Sequence, residues 1–196
     1  MADSDSKVLR LVAIGGSVRP ANFTHRALAL AVEEARSHAH VEIEVFDPAN
    51  LDLAAPGSST ADSERLQEAV RSAVGVLLAT PEYHGSFSSV MKQVIENLGF
   101  PSVLATKPVA LLGVAAGRIG AIKSLEHLRS VCSHVGALVL PGPVSIAGVQ
   151  QMFDEDGNCL DAAVEKQIRG VATRLITYIE DSLCPRAALE ASVRRS

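Results

Sequence analysis

The chain is poor in the residues on which several classes of protein depend. Its 196 residues include no tryptophan and only two tyrosines, and aromatic residues make up 4% of the composition. The three cysteines, Cys132, Cys159 and Cys184, are an odd number of widely spaced residues without a Cys-x-x-Cys pair. This pattern argues against a disulfide framework and against a cysteine-based zinc site, and it favours a reducing compartment.

A strong charge imbalance and a long apolar segment are also missing. The formal net charge is −4, and the one basic cluster, Arg194 and Arg195, is expected to be a solvated tail rather than a nucleic-acid-binding face. The longest apolar stretch, "PVALLGVAAG", is well short of the roughly 18 residues that a membrane-spanning helix needs. The N-terminal "MADSDSK" does not resemble a signal peptide. We therefore expect a cytoplasmic protein with no nucleic-acid partner and no membrane partner.

Five short apolar runs alternate with longer amphipathic segments. The runs cover residues 7–14, 41–47, 74–80, 108–115 and 136–142. Helical spacing of apolar residues marks the segments 86–98 and 119–135 and a last helix that Asp161 is expected to cap. This alternation predicts an α/β protein with a doubly wound, five-stranded parallel sheet and helices on both faces. We expect one domain over residues 1–196, with a core of about 7–181, short flexible tails, and a polar loop over 50–64 that is either mobile or in contact with a partner subunit.

The turn after the first run, "GGSVRPANFT", has the composition of an anion-binding loop. Gly15 and Gly16 let the backbone approach a ligand closely, and the following helix offers unpaired N–H groups and the positive end of its dipole. The loop matches neither of the two best-known phosphate fingerprints, so a terminal monophosphate fits it better than a dinucleotide or a nucleoside triphosphate. Its polar and charged side chains are Ser17, Arg19, Asn22 and Thr24. The alternative is a tight turn in which Ser17 or Asn22 only caps the helix.

The turns after the third and fourth runs lie at the same edge of the predicted sheet. In "PEYHG", Pro81 and Gly85 restrict the backbone, so that the main-chain groups of residues 82–84 would face the cleft and contact a flat heterocycle. After the fourth run, the small residues 115–117 would let a planar ring lie close to the backbone. A phosphate at the first turn and a ring system between the other two is the layout of a mononucleotide at a flavodoxin-like switch point.

Each of these residues also has a simpler interpretation. Glu82 could be a surface carboxylate or could favour a helix dipole, Tyr83 could cover the core, and His84 could be an ordinary loop residue. A metal role for His84 is not expected because no second ligand lies nearby in the sequence. His38 and His40 lie at a helix end without a supporting carboxylate, and we expect them to be solvated.

Taken together, these motifs resemble the NADPH-dependent FMN reductases of the flavodoxin-like fold, which include quinone, chromate and azo-dye reductases. The family motif Gly-Ser-x-Arg, followed by Ser or Asn and then Asn or Thr, matches residues 16–24. The motif Pro-Glu-Tyr-Asn-Gly matches residues 81–85, except that His84 stands where the family usually has asparagine. A small-residue loop before a helix matches residues 115–120, although Ala115 and Ala116 stand where the family often has glycine or serine. The similarity runs from about residue 8 to 180.

The resemblance implies a strand order of 2-1-3-4-5, bound FMN and NADPH or NADH as electron donor. It also implies a homodimer or homotetramer, with the helix after the Pro-Glu-Tyr loop at an interface. Carried over residue by residue, Ser17, Arg19, Asn22 and Thr24 would hold the FMN phosphate. The isoalloxazine would be lined by Pro81, Glu82, Tyr83, His84, Gly85, Ala116 and Gly117.

The implied reaction passes hydride from NAD(P)H through FMN, at flavin N5, to an acceptor such as free flavin, a quinone, an azo compound or a metal oxyanion. The cofactor supplies the chemistry, so no catalytic side chain is assigned. Three alternatives remain at this point. The first is a quinone or xenobiotic reductase for which free flavin is incidental. The second is a one-electron carrier like flavodoxin, and the third is a flavin-free binding or regulatory domain of the same fold.

Overall fold

The computed structural model of the chain describes residues 8–193. The N-terminal stretch with the first residue of the predicted first strand, and the basic cluster at the C-terminal end, lie outside the described residues. The described part contains seven strands: β1 (Leu9–Gly15), β2 (Val41–Phe46), β3 (Gly75–Tyr83), β4 (Ser86–Phe87), β5 (Pro108–Val114), β6 (Leu138–Val139) and β7 (Val144–Ile146). Its α-helices are α1 (Phe23–Ser37), α2 (Ala61–Ser72), α3 (Ser89–Glu96), α4 (Ile122–His134), α5 (Ala162–Tyr178) and α6 (Cys184–Val193). A π-helical turn, Ile179–Leu183, joins the last two helices.

The strands form a parallel sheet in the order β2-β1-β3-β5-β6, and β7 also pairs with β5 in parallel. The predicted order 2-1-3-4-5 follows when β6 and β7 are counted together as the fifth strand, so the predicted fold class is confirmed. The fifth strand is not the continuous segment that 136–142 suggested. Pro141 and Pro143 interrupt it because proline has no backbone N–H for the ladder.

The central strand β3 is apolar from Gly75 to Ala79 because both faces of the sheet are covered there, and the buried Thr80 follows toward its carboxyl end. On one face, Leu77 lies in register with Ala13 and packs in the core beneath α1 and α5. On the other face, the next residue, Leu78, lies in register with Ile14 and packs in the core beneath α2, α3 and α4. The two cores hold the strand ends in place and thereby position the loops at the carboxyl edge.

The segment predicted as a helix over 86–98 begins differently. Ser86 and Phe87 form β4, which pairs antiparallel with the end of β3. The helix α3 starts only at Ser89, because the Ser88 side chain caps it by accepting a hydrogen bond of 3.0 Å from Met91 N. Phe87 therefore belongs to a hairpin and not to the apolar face of the helix.

The polar segment 50–64 leads into α2, which the apolar spacing did not reveal. Thr60 and Ser63 form a capping box at the start of this helix. Ala54 is buried, and its N–H donates to the side-chain oxygen of Asn97 over 2.8 Å. At the other end of the chain, the predicted cap of α5 is confirmed, since Asp161 accepts hydrogen bonds from Ala163 N and Val164 N.

Candidate functional site

Three loops meet at the carboxyl edge of the sheet, after β1, β3 and β5, and enclose a cavity of about 320 Å³. This is the edge at which doubly wound sheets bind ligands. The cavity brings together seven of the eleven residues predicted for the site: Arg19, Asn22, Thr24, Pro81, Glu82, Tyr83 and Ala116. The remaining four predicted residues do not line this cavity: Ser17, His84, Gly85 and Gly117.

The loop after β1 is attached to the neighbouring strand and helix at its first residues. Gly16 N donates to Ala79 O over 2.7 Å, and the Ser88 hydroxyl donates to Gly16 O over 2.6 Å. A Cβ at position 16 would lie 2.9 Å from Ala79 O and 3.1 Å from the Met91 side chain. The loop can therefore approach β3 this closely only because residue 16 is glycine.

The N-terminus of α1 points its unpaired donors at the cavity. Asn22 accepts a hydrogen bond of 2.9 Å from His25 N, and its side-chain N–H donates to Arg19 O over 2.7 Å. Asn22 thus acts as a helix cap, as the simpler interpretation of this residue expected. Within residues 8–193, the N–H groups of Phe23 and Thr24 and the Thr24 hydroxyl make no hydrogen bond, and both residues line the cavity. Free N–H groups at the positive end of a helix are suited to an anion.

Ser17 and Arg19 occupy different environments. Ser17 is buried, and its hydroxyl oxygen accepts a hydrogen bond of 3.4 Å from Arg19 N, so it shapes the loop from beneath. The Arg19 side chain is exposed, and its guanidinium carbon lies 5.0 Å from the centroid of the Tyr83 ring. A guanidinium over an aromatic face is a cation–π contact. This contact places a permanent positive charge at the mouth of the cavity.

His84 and Gly85 form the two-residue loop of the β3–β4 hairpin, between the paired residues Tyr83 and Ser86. Both have positive φ values, +51° for His84 and +74° for Gly85. Positive φ at both central residues defines a type I′ turn, for which Asn-Gly is the preferred sequence. Histidine is among the few residues other than glycine that are enriched at positive φ. The departure from the family's usual asparagine is therefore compatible with the backbone at this position.

Two hydrogen bonds attach this hairpin to α4. Glu82 Oε2 accepts a hydrogen bond of 3.1 Å from Ser124 N, in the first turn of a helix whose N-cap, Ala121, has no capping side chain. Ser86 Oγ lies 3.0 Å from His127 Nδ1. Glu82 thus favours a helix N-terminus, as one interpretation of the sequence expected, although the helix is α4 and not the one that follows the loop. The bond also couples the end of β3 to the first turn of α4, which follows the loop after β5.

The cavity also includes residues that belong to none of the predicted motifs. Val149 and Gln150, which follow β7, line its edge, together with Val114, Pro20, Ala21 and Phe23. The first two could have been found by inspecting the turn after the fifth strand, which ends at the same edge of the sheet. Ala21 has a φ value of +48°. Alanine gives no sign of a positive φ in the sequence, so this conformation could not have been predicted.

No group of three or more potential metal ligands occurs within residues 8–193. The expectation that His38 and His40 lack a carboxylate was wrong. His38 Nε2 lies 3.8 Å from Glu34 Oε1, and His40 Nε2 lies 2.6 Å from Glu180 Oε1. The partners were not apparent because one lies a helical turn earlier and the other 140 residues later.

None of the helices in the described residues is long and apolar enough to cross a membrane.

The residues around the cavity fit an FMN molecule. The free N–H groups of α1, the Thr24 hydroxyl and the Arg19 guanidinium form a donor set of the kind that binds a phosphate monoester. Ala116, which lines the cavity after β5, has a side chain small enough to let a planar ring lie beside the backbone. A Cβ at the neighbouring Gly117 would meet no atom within 4 Å.

Comparison with known proteins agrees with this geometry. Residues 9–151 match the model of the family described as NADPH-dependent FMN reductase, and the chain belongs to that family. An NAD(P)H-dependent FMN reductase of Pseudomonas aeruginosa is 32% identical over 167 residues, which cover 82% of this chain and 90% of the relative. An FMN-dependent NADPH-azoreductase of Staphylococcus aureus is 25% identical over 85% of this chain and 93% of its own length.

Among solved structures, the chain is similar to FerB, a flavoenzyme NAD(P)H:(acceptor) oxidoreductase of Paracoccus denitrificans. The TM-score is 0.74 at 22% identity, over 89% of this chain and 98% of that one, which supports the fold. Family membership confirms the main interpretation of the sequence: the protein is an oxidoreductase that uses FMN and NAD(P)H. It favours this interpretation over the flavodoxin-like carrier and over a flavin-free domain.

Proposed function

We propose that the chain binds FMN in the 320 Å³ cavity, with the phosphate at the loop after β1 and the isoalloxazine beside residues 81–85. The free N–H groups of α1, Thr24 and Arg19 contact the phosphate, while Ser17 and Asn22 hold the loop in shape. Pro81, Glu82 and Tyr83 line one side of the ring and Ala116 leaves space beside it, while His84, Gly85 and Gly117 contact the part of the ring that extends beyond the cavity.

The observation that carries this proposal is the convergence of unpaired donors on one cavity. The N–H groups of Phe23 and Thr24 lack partners among the described residues, and the Arg19 charge lies at the same opening. Unpaired donors and a positive charge that face one space favour a dianionic phosphate there. The half-buried Tyr83 at the neighbouring loop then fixes the direction in which the rest of the molecule extends.

When bound, FMN would supply the redox chemistry, which is the transfer of a hydride from NAD(P)H and of its electrons onward to an acceptor. The chain's own residues bind the phosphate, orient the ring and hold the two ring-side loops together through the Glu82–Ser124 hydrogen bond. No acid–base side chain is assigned to the reaction. The acceptor is a small molecule such as free flavin, a quinone, an azo compound or a metal oxyanion. The second candidate function is a quinone reductase.

Rapid mixing of the FMN-loaded protein with NADPH or NADH, without oxygen, tests this proposal. We expect the visible absorbance of the flavin to be lost in one fast phase and to return when an acceptor is added, with ping-pong kinetics over both substrates. Comparing free FMN, quinones, azo dyes and chromate as acceptors separates the two candidates. If neither nucleotide reduces the bound flavin, the proposal is wrong.

We also propose that the protein forms a homodimer or homotetramer in the cytoplasm. The Phe100 side chain, which follows α3, is fully exposed, and it borders a groove of about 640 Å³ between the ends of α3 and α4. A large apolar side chain beside a groove suits a contact between copies of one chain. Light scattering of the wild type and of Phe100→Ser tests this. We expect the wild type to have the molar mass of an oligomer and the variant to have a lower molar mass.

A further inference from the structure

His25 has an environment that the proposed function does not explain. Within the described residues, its Nε2 is the one buried side-chain nitrogen or oxygen atom without a hydrogen-bond partner. The great majority of such atoms in folded proteins have a partner, so this exception needs a physical reason. His25 lies in the first turn of α1 but does not line the 320 Å³ cavity; it borders a neighbouring cavity of about 730 Å³.

The ring of His25 occupies the space that a side chain at position 15 would need. A Cβ at Gly15 would lie 2.0 Å from His25 Nε2 and 2.3 Å from its Cδ2. Gly15 is the last residue of β1, and Gly16 begins the loop after it. The ring therefore packs directly against the backbone from which the loop departs, and Nε2 has no partner because it faces this backbone.

Two other groups of His25 connect it to the frame of the same loop. Its Nδ1 lies 3.4 Å from Oδ2 of Asp47, the residue that follows β2. The other oxygen of Asp47 accepts a hydrogen bond of 2.9 Å from Ala49 N, which holds this carboxylate in place. The backbone N–H of His25 is the donor that Asn22 caps. One residue thus connects the ends of β1 and β2 with the start of α1.

We propose that His25 is a positioning residue that sets the N-terminus of α1 against the end of β1 and so pre-organises the phosphate-binding loop. The inference rests on the proposed function, because it concerns the same FMN site. His25 does not contact the ligand: it acts through Gly15 on one side and through Asn22 on the other. A flat ring and a glycine are complementary here, and a change in either one moves the loop.

The test compares the equilibrium affinities for FMN and for riboflavin, which lacks the phosphate, by quenching of flavin fluorescence. We expect His25→Ala to weaken FMN binding about tenfold, as pre-organisation of the loop is lost, while riboflavin affinity changes less than about twofold. His25→Phe keeps a flat ring and should retain most of the FMN preference. His38→Ala, a change at the histidine that follows the last residue of α1, serves as the matched control and should alter neither affinity.

A double variant tests the complementarity of the ring and the glycine. Gly15→Ala alone should lose FMN affinity, because its Cβ collides with the His25 ring. Adding His25→Ala removes the collision, so the double variant should bind FMN about as well as His25→Ala alone. The inference is overturned if His25→Ala lowers both flavin affinities equally, if His25→Phe behaves like His25→Ala, or if the double variant is no better than Gly15→Ala. Failure of the wild type to bind FMN would instead overturn the proposed function itself.

Discussion

The guanidinium carbon of Arg19 lies 5.0 Å from the centroid of the Tyr83 ring, so the loop after β1 contacts the end of β3 across the mouth of the cavity. The contact joins the proposed phosphate site to the proposed ring site. Arg19 has no carboxylate partner within the described residues. The contact with Tyr83 holds its side chain so that the charge faces the cavity. The same side chain can therefore attract the phosphate and order the tyrosine.

We predict that Arg19→Ala lowers FMN affinity while leaving the fold intact. A hydrogen bond from a charged group contributes about 1.5–3 kcal/mol, which corresponds to roughly 10- to 150-fold in the dissociation constant. Titration of the flavin-free variant with FMN measures the effect, and circular dichroism checks the fold. Arg19→Lys keeps the charge but loses the planar group, so it should lie between the wild type and Arg19→Ala.

The control for this prediction is Arg36→Ala, which removes an exposed arginine at the far end of α1. Its FMN affinity should equal that of the wild type. Unchanged affinity in Arg19→Ala itself would remove Arg19 from the site.

The Glu82 carboxylate should stabilise α4 in addition to its place beside the cavity. Glu82→Ala removes the only side-chain acceptor that the described residues offer to Ser124 N, and the expected loss is about 1 kcal/mol of unfolding free energy. Glu82→Gln keeps an acceptor and should lose less. Urea denaturation measures both. Glu126→Ala, a change at an exposed position of the same helix, should stay within about 0.5 kcal/mol of the wild type; an equal loss there would contradict the capping role.

Gly16 and Gly117, in the loops after β1 and β5, should respond differently to alanine. Gly16→Ala brings a Cβ within 2.9 Å of Ala79 O, so we expect a loss of about 1–3 kcal/mol in stability and a matching loss of FMN affinity. Gly117→Ala meets no atom within 4 Å and should be nearly neutral for stability. Thermal unfolding and FMN titration of the two variants check the contrast. Equal stability of the two would show that the close approach of Gly16 to β3 is not required.

The stability of the protein should fall at alkaline pH because of one buried thiol. Burial raises the pKa of Cys132 to about 12, whereas an unfolded cysteine has a pKa near 8.5. Below about pH 8.5 the thiol is protonated in both states and its contribution is fully present. As the pH rises toward 12, the unfolded state ionises first, so this contribution is lost.

The measurement is the difference in unfolding free energy between wild type and Cys132→Ala as a function of pH. We expect this difference to shrink by about 2 kcal/mol between pH 7 and pH 10. Cys184→Ala, at an exposed cysteine, should show no such change. A difference for Cys132→Ala that stays constant with pH would rule out this linkage.

Much of the sheet could be predicted because a strand that is buried on both faces is apolar throughout. The run around Leu77 and Leu78 is of this kind, and its pattern depends on nearby residues only. The fifth strand was less predictable. Proline is tolerated in an edge strand, so Pro141 and Pro143 alone do not reveal that the strand is interrupted; only the hydrogen bonds of the ladder do. Helix α2 was missed because its apolar positions are few, although Thr60 and Ser63 at its start are a recognisable capping pair.

The loops of the site were predictable as loops, but their internal connections were not. Neither the bond between Glu82 and Ser124, 42 residues apart, nor the stacking of Arg19 on Tyr83 follows from local sequence. His25 was not selected because a histidine in the first turn of a helix has no special meaning. Its meaning comes from Gly15, which lies beside it only after β1 and α1 have packed together.

The proposed function requires that the loop after β1 binds the phosphate of FMN, and a crystal structure of the protein grown with excess FMN tests this most directly. We predict density for the phosphate at the N-terminus of α1, in contact with Arg19 and Thr24, and density for the flavin ring beside residues 82–85. An empty cavity in crystals soaked at saturating FMN, or FMN bound elsewhere on the protein, would contradict the account.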